Sequence, residues 1–323
     1  MTNSTKNKAS LCAILNIKYP IIMAPMFLVS NEDMLVEAIK SGITGCVPAL
    51  NYRTDAKFRD AINSIRKRVS GPIGINLIVN KSNVKFKQQL KTCVDLKVDY
   101  IITSLGSPEK TIAACKPHGI KVFCDVVDAK YAKKVEELGC DAVIAVNKEA
   151  GGHCGPTPAS ILIPELVAQC SIPVISAGGV SNGHQMKEML ELGACGISMG
   201  SPFIATNEAS VCDAYKQAIV DYGAKDIVLS EKLSGSPCTV INTPYVQKVG
   251  TKRNFIESFL SKNKKLKKFI KMLTFYKGTK ALEKAAFSST YDTVWCAGPS
   301  IEGVNSIRPV AQVVKKLIEE FEQ

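Results

Sequence analysis

No stretch of the 323-residue chain comes near the ~18 uninterrupted apolar residues that a membrane helix requires. The polar start, residues 1–10, carries Lys6 and Lys8 without an acid, and no apolar core segment follows it, so a secretory signal is not expected. Cys-x-x-Cys is absent, and no Cys/His group has zinc-ligand spacing, so no metal site is expected. The 12 cysteines are not expected to form a disulfide framework, because of where they stand. Cys46, Cys124, Cys140, Cys170 and Cys195 sit in or beside apolar runs, where a free thiol behaves as a small hydrophobe in a reducing compartment. A cytoplasmic location is expected. The first strand-like run is not followed by Gly-x-Gly-x-x-Gly, which argues against a Rossmann dinucleotide site. Acidic residues are nearly missing from 252–284, where Glu257 and Glu283 face eleven Lys and Arg. That stretch supplies most of the formal charge of +12.

The apolar and charged fractions, 46% and 22%, are those of an ordinary soluble protein. From Tyr19 to about Thr206, continuously apolar runs recur at the spacing of a β/α unit. They are Ile21–Ala24, Thr44–Ala49, Ile73–Val79, Tyr100–Ser104, Val122–Val127, Ala142–Val146, Pro173–Ala177 and Gly196–Met199. Runs without alternation are expected when both faces of a parallel strand are covered. Between them lie amphipathic helical stretches such as Ala129–Leu138 and His184–Leu192. Gly42, Gly119, Gly139 and Gly193 each fall where a helix would end. The pattern predicts an α/β fold, a (β/α)8 TIM barrel, with a doubly wound open sheet as the alternative.

After Thr206 the pattern changes. Glu208–Tyr222 reads as the last barrel helix, Ile227–Val249 as a polar strand-like region, and Ile307–Phe321 as a final amphipathic helix. The expected division is a barrel over 1–225, a smaller, partly helical lid over 226–294 and a C-terminal helix returning to the barrel within 295–323. In the basic segment, Leu266, Phe269, Ile270 and Leu273 share one helical face. A lid helix packed on the barrel, an acidic protein partner and an anionic membrane surface all fit that pattern. Nucleic acid is not expected, because no interleaved aromatics or RNA-binding module accompany the charge.

The C-terminal strand ends of such a barrel carry function. After strand 1, Ala24, Pro25 and Met26 would let a flat ligand approach the backbone, although Ala-Pro is equally a rigid turn. Asn76 stands within an apolar run, where an unpaired amide costs about 1–3 kcal/mol. A ligand with amide-like edges, a neighbouring strand or an ordered water would each satisfy it. Asp125 ends strand 5, facing either the ligand or a loop cation. Gly151, Gly152 and His153 lie in Glu149-Ala150-Gly151-Gly152-His153-Cys154-Gly155, where glycine backbone can press on a planar ring beside a titratable imidazole. Cys154, as a sequence neighbour, is not expected to pair with His153. Gly178 and Gly179 after strand 7, and Ser198, Met199, Gly200 and Ser201 around the end of strand 8, suit a phosphate. His118 falls in a turn at the opposite face, and His184 starts a helix, so neither is expected to be catalytic.

The runs YPIIMAPM, GINLIV, EAGGHCG, PVISAGGVSNG and GISMGSPFIAT, in this order, resemble the nitronate monooxygenase family. The flavin-dependent enoyl-ACP reductases are close relatives that share the EAGGHxG element. The resemblance implies an FMN-dependent barrel with a lid. Ala24, Pro25 and Met26 would line the flavin, Asn76 would hydrogen-bond it, and Gly151 and Gly152 would pack beside it. Gly178, Gly179, Gly200 and Ser201 would hold its phosphate, and His153 matches the catalytic histidine. The implied reaction is oxidation of nitronates or nitroalkanes by O2 to carbonyl compounds and nitrite. The alternatives are NAD(P)H-dependent reduction of an enoyl thioester and a flavin protein without turnover. A homodimer and an acidic partner at 252–284 are candidate associations. The chain departs from many relatives at Met23-Ala24-Pro25-Met26, at Gly200-Ser201-Pro202-Phe203, where an Arg is missing, and at Asp125, where some have Lys.

Overall fold

The computed structural model describes residues 8–232, 237–252, 286 and 293–323. Eight parallel strands close into a barrel. They are β1 (Ile21–Met23), β2 (Thr44–Pro48), β3 (Ile73–Ile78), β4 (Tyr100–Ser104), β5 (Lys121–Val126), β6 (Ala142–Val146), β8 (Val174–Ala177) and β9 (Gly196–Met199). Closure comes from β1 pairing with β9, Ile21 opposite Ile197 and Met23 opposite Met199. Each apolar run found in the sequence is one of these strands, to within a residue at either end. Gly42, Gly119, Gly139 and Gly193 all have positive φ, the conformation that ends a helix most readily without a Cβ.

Residue alternation divides the core in two. Ile21, Met23, Ile73, Ile75 and Val143 face outward into the layer under the helices. Ile22, Cys46, Tyr100, Ile102, Phe123, Ile144 and Ile175 point inward. The lower barrel is filled by the stacked rings of Tyr100 and Phe123, with centroids 5.3 Å apart. Gly74 makes room for this, since a Cβ there would stand 2.2 Å from the Tyr100 ring. The Tyr100 hydroxyl donates to the Gly45 carbonyl at 2.8 Å, so the buried phenol keeps a partner. Leu11 and Leu15, on the short helix Leu11–Leu15, plug the N-terminal end. With the bottom packed, the interior opens at the C-terminal strand ends.

A second sheet lies at that end. Strand β7 (Gly152–His153) sits in the loop after β6 and pairs antiparallel with β11 (Cys238–Ile241), which pairs with β10 (Ile227–Ser230). The helix Pro244–Val249 follows. We propose that the chain divides at 225/226, on the change there from parallel barrel to antiparallel sheet, and at 294/295, with Trp295 and Cys296 still pairing along β11 before the chain returns to the barrel. The basic face at Leu266–Leu273 lies outside the described residues.

Two helices are shorter than the sequence suggests. The last barrel helix runs Asp213–Asp221, and Glu208 is used differently: its carboxylate accepts from the Val310 N–H at 3.0 and 3.2 Å. Glu208 thereby caps the final helix, Val310–Phe321, which starts after Pro309 rather than at Ile307. That helix packs closely on the helix Gly183–Glu191, where a Cβ on Gly183 would lie 2.1 Å from the Phe321 nitrogen. Among the described residues, no helix is long and apolar enough to cross a membrane.

Candidate functional site

At the barrel mouth lies a cavity of about 640 Å³. Every residue singled out at the strand ends lines it: Ala24, Pro25, Met26, Asn76, Asp125, Gly151, Gly152, His153, Gly178, Gly179, Ser198, Met199, Gly200 and Ser201. Ile102 and Ile144, which belong to the barrel interior, also reach its lining.

The turn after β1 is pinned on both sides. Ala24 N–H continues the ladder to the Met199 carbonyl at 2.8 Å. The Ser30 hydroxyl donates to the Ala24 carbonyl at 3.1 Å and accepts from the Met26 N–H at 2.9 Å. Asn51 bridges the Leu28 N–H and the Ser30 carbonyl. This holds Leu28 at a φ of 60°. Neither Ser30 nor Asn51 was legible as part of the site: Ser30 acts on the turn's own backbone without a motif to mark it, and Asn51 on backbone 21 and 23 residues away.

At the ends of β3, β4 and β5 a polar chain crosses the wall. Asn76 Nδ2 donates to the Ile102 carbonyl at 3.1 Å and to Ser104 Oγ at 2.8 Å. A carbonyl only accepts, so the amide orientation is fixed. Ser104 Oγ in turn donates to Asp125 Oδ2 at 2.5 Å. A neighbouring strand therefore satisfies the amide nitrogen, one of the outcomes the sequence left open. Asp125 keeps some surface along the cavity, but burial pushes its carboxyl up to about 6, against the opposing effect of the Ser104 hydrogen bond. Ser104 was visible only as the last residue of a strand-like run.

The loop after β6 is organised by Asn147, which the sequence reading passed over. Its backbone extends the barrel ladder to Ala177, and its carbonyl accepts from Ala150 and Gly155. Its side chain accepts from the Glu149 N–H at 2.9 Å and donates to the Gly178 carbonyl at 3.1 Å. Asn147 thus ties the loop bearing Gly151 and Gly152 to the loop bearing Gly178 and Gly179. The approach demands glycine: a Cβ on Gly178 would lie 2.3 Å from Asn147 Oδ1 and 2.4 Å from the Ala150 nitrogen. Glu149, prominent in the EAGGHCG run, caps the helix Ala159–Gln169 by accepting from the Ala159 N–H at 3.3 Å. From β11, Thr239 Oγ1 shares its proton between the carbonyls of Ala150 and Gly152 at 3.0 and 3.3 Å.

The segment 297–298 rests on the same loop, with Gly298 N–H donating to Ser201 Oγ at 2.9 Å. Ser201 is buried and its oxygen is engaged, which leaves the hydroxyl proton for a ligand or another acceptor. The N–H groups of Gly178, Gly179, Gly200 and Ser201 donate to no backbone carbonyl among the described residues. They sit on two adjacent strand ends and form a set of donors suited to an anion.

His153 lies on β7 opposite Cys238. Its side chain keeps contact with the open cavity, yet enough protein surrounds it that burial pulls the imidazole below the usual histidine pKa. Burial thus favours the uncharged imidazole, the form that can accept a proton. Cys154 is half-buried, with its thiol pushed up by burial. Two further thiols of the cavity wall, Cys238 and Cys296, approach to 3.7 Å. His118 is exposed in a turn before β5, away from the cavity. His184 is exposed on the helix that Asn182 caps.

A closed parallel barrel with donors, a histidine and an apolar pocket gathered at its C-terminal end has the architecture of a barrel enzyme. Residues 81–320 match the family described as nitronate monooxygenase, and the chain belongs to that family. It is an oxidoreductase. A curated relative from Rhodococcus jostii is 27% identical over 288 residues, 89% of this chain and 80% of the relative. That protein is a (3aS,4S,5R,7aS)-5-hydroxy-7a-methyl-1-oxo-octahydro-1H-indene-4-carboxyl-CoA dehydrogenase. A probable nitronate monooxygenase from Staphylococcus saprophyticus is 27% identical over 289 residues, 76% of this chain and 81% of the relative. The solved structure of FabK from Thermotoga maritima superposes with a TM-score of 0.84 at 27% identity, covering 97% of this chain and 95% of that one.

Proposed function

We propose that this chain binds FMN in the barrel-mouth cavity and oxidises alkyl nitronates or nitroalkanes with O2 to carbonyl compounds and nitrite. The observation that carries the reading is His153, an imidazole pulled below its usual pKa by burial on the wall of the cavity, within the part of the chain that matches the family. The donor set fits the cofactor. The N–H groups of Gly178, Gly179, Gly200 and Ser201 would hold its phosphate, Ala24 to Met26 with Gly151 and Gly152 would border its ring, and Asn76 would meet its amide edge. The flavin, when bound, supplies the electron-accepting and oxygen-reactive chemistry; the protein supplies position and field. His153 would take the α-proton of a neutral nitroalkane at an imidazole nitrogen, and when protonated would hold the nitronate anion. The apolar lining would keep bulk water from the reacting carbon.

A second reading has a specific basis. Leu105 and Val127 line the cavity and are exposed at its edge. Such an apolar lip suits an acyl chain, and the Rhodococcus relative acts on a CoA thioester. In that reading NAD(P)H reduces the flavin, and an enoyl thioester receives the hydride. Nitrite release and O2 uptake with propionate 3-nitronate, compared with NADH consumption in the presence of a crotonyl thioester, separates the two. Nitrite at the rate of O2 uptake supports the first reading; thioester-dependent NADH loss without nitrite contradicts it.

A further inference from the structure

The polar chain at the ends of β3, β4 and β5 has a fixed direction. Because Asn76 Nδ2 is committed to the Ile102 carbonyl and to Ser104 Oγ, the Ser104 proton must go to Asp125 Oδ2. Two oxygens of the cavity wall are left over, Asn76 Oδ1 and Asp125 Oδ1, neither hydrogen-bonded within the described protein. The amide oxygen can only accept. The carboxyl oxygen accepts if ionised and donates if it carries a proton.

This inference rests on the flavin reading above. The pyrimidine edge of a flavin offers one N–H flanked by two carbonyls. A single N–H satisfies a single acceptor, so an acceptor set beside Asn76 Oδ1 would confront a carbonyl lone pair. We propose that Asn76 and Asp125 form a complementary pair for this edge, Asn76 Oδ1 accepting the ring N–H and Asp125 bringing a proton with which it donates to the adjoining carbonyl. Asp125 is then a positioning and specificity residue, and it departs from the Lys that some relatives carry there.

The surroundings favour the neutral acid. The groups facing Asp125 are the Ser104 hydroxyl from β4, the amide of Asn76 from β3, the Tyr131 phenol from the helix Ala129–Glu137 and the Cys46 thiol from β2, while Ile144 packs from β6. Tyr131 and Cys46 are themselves pushed up chiefly by burial, so both stay neutral. Among the described residues Asp125 has no ion pair, and His153, the histidine of the cavity wall, is pulled below its usual pKa by burial, which favours its uncharged form. Burial within the protein alone pushes the carboxyl up to about 6, and a flat ligand sealing it from water would raise it further.

Proton uptake tests the assignment. FMN is titrated into apoprotein by calorimetry at pH 7.5 in two buffers of different ionisation heat, for wild type and for Asp125→Asn. An Asn at this position can still accept from Ser104 and donate to the ligand. The wild type is expected to take up more protons per FMN bound than the variant; the phosphate and His153 contribute equally to both. The wild-type affinity should fall as pH rises above about 6, by up to roughly tenfold per unit, and that dependence should be missing in the variant. Riboflavin, which lacks the titrating phosphate, gives the same comparison on wild type alone should Asp125→Asn not fold. Wild-type uptake no greater than the variant's, or riboflavin binding by wild type without uptake, would overturn the assignment while leaving the cofactor reading intact. Failure of wild type to bind either flavin would overturn both.

Discussion

Gly178→Ala concentrates the logic of the site in one methyl group. Gly178 has a φ of 113°, a conformation that costs a residue with a Cβ on the order of 1–3 kcal/mol. The new Cβ would also stand 2.3 Å from Asn147 Oδ1 and 2.4 Å from the Ala150 nitrogen. Neither neighbour is a flexible chain end. Asn147 is fully buried and hydrogen-bonded at both ends of its amide, and Ala150 N–H donates to the Asn147 carbonyl. Overpacking of this kind costs about 1–3 kcal/mol more, so the total is roughly 2–6 kcal/mol. Relief requires the two glycine loops to part, which would displace the N–H groups of Gly178 and Gly179 from Gly151, Gly152 and His153 together. Gly152→Ala is the matched control. Its φ is 77°, but a Cβ there meets nothing within 4 Å, so only conformational strain of about 1–2 kcal/mol applies. Urea denaturation with flavin content measured on the same preparations should show a large midpoint loss and little retained flavin for Gly178→Ala, and only a small midpoint loss for Gly152→Ala. Equal midpoints and equal flavin content in the two variants would refute the reasoning.

Two further outcomes follow from the titrating groups. In the empty protein Asp125 holds its proton up to about 6, whereas the unfolded chain releases it near 3.8, so the folded state binds the extra proton in that window and loses stability as pH rises through it. The penalty is complete above 6 and on the order of 3 kcal/mol at most. Apo Asp125→Asn should therefore be more stable than wild type at pH 8 and no more stable at pH 4; an equal difference at both pH values contradicts the account. His153, held below the usual histidine pKa by burial, should give nitroalkane oxidation an acidic limb below that usual value, with activity rising as the imidazole loses its proton. His153→Ala should keep the flavin and lose most turnover, and unchanged turnover would remove His153 from the mechanism.

The barrel was legible because its strands are covered on both faces and so appear as unbroken apolar runs, Tyr100–Ser104 and Ala142–Val146 down to the residue. The cavity was legible for a topological reason: once the strands are placed, their C-terminal ends must converge, and Asn76, Asp125 and His153 come together without any contact being guessed. What stayed hidden are the groups that hold the site's backbone. Asn147 and Thr239 act across 31 and 89 residues of sequence, on Gly178 and Ala150, and nothing in their local context marks them. Glu149, which stands in a conspicuous run, serves as a helix cap, a role its sequence context does not announce. The helix ends at 208–213 and 307–310 were misplaced because Glu208 and Pro309 settle them through a tertiary contact.

The central claim is that a flavin in this cavity exchanges electrons with a nitronate. It is tested most directly by anaerobic rapid mixing of the purified holoprotein, separately with propionate 3-nitronate and with NADH, while the visible flavin absorbance is followed. The account expects a rapid spectral change with the nitronate and none with NADH. Rapid bleaching by NADH with indifference to the nitronate would contradict it and turn the search to enoyl thioesters.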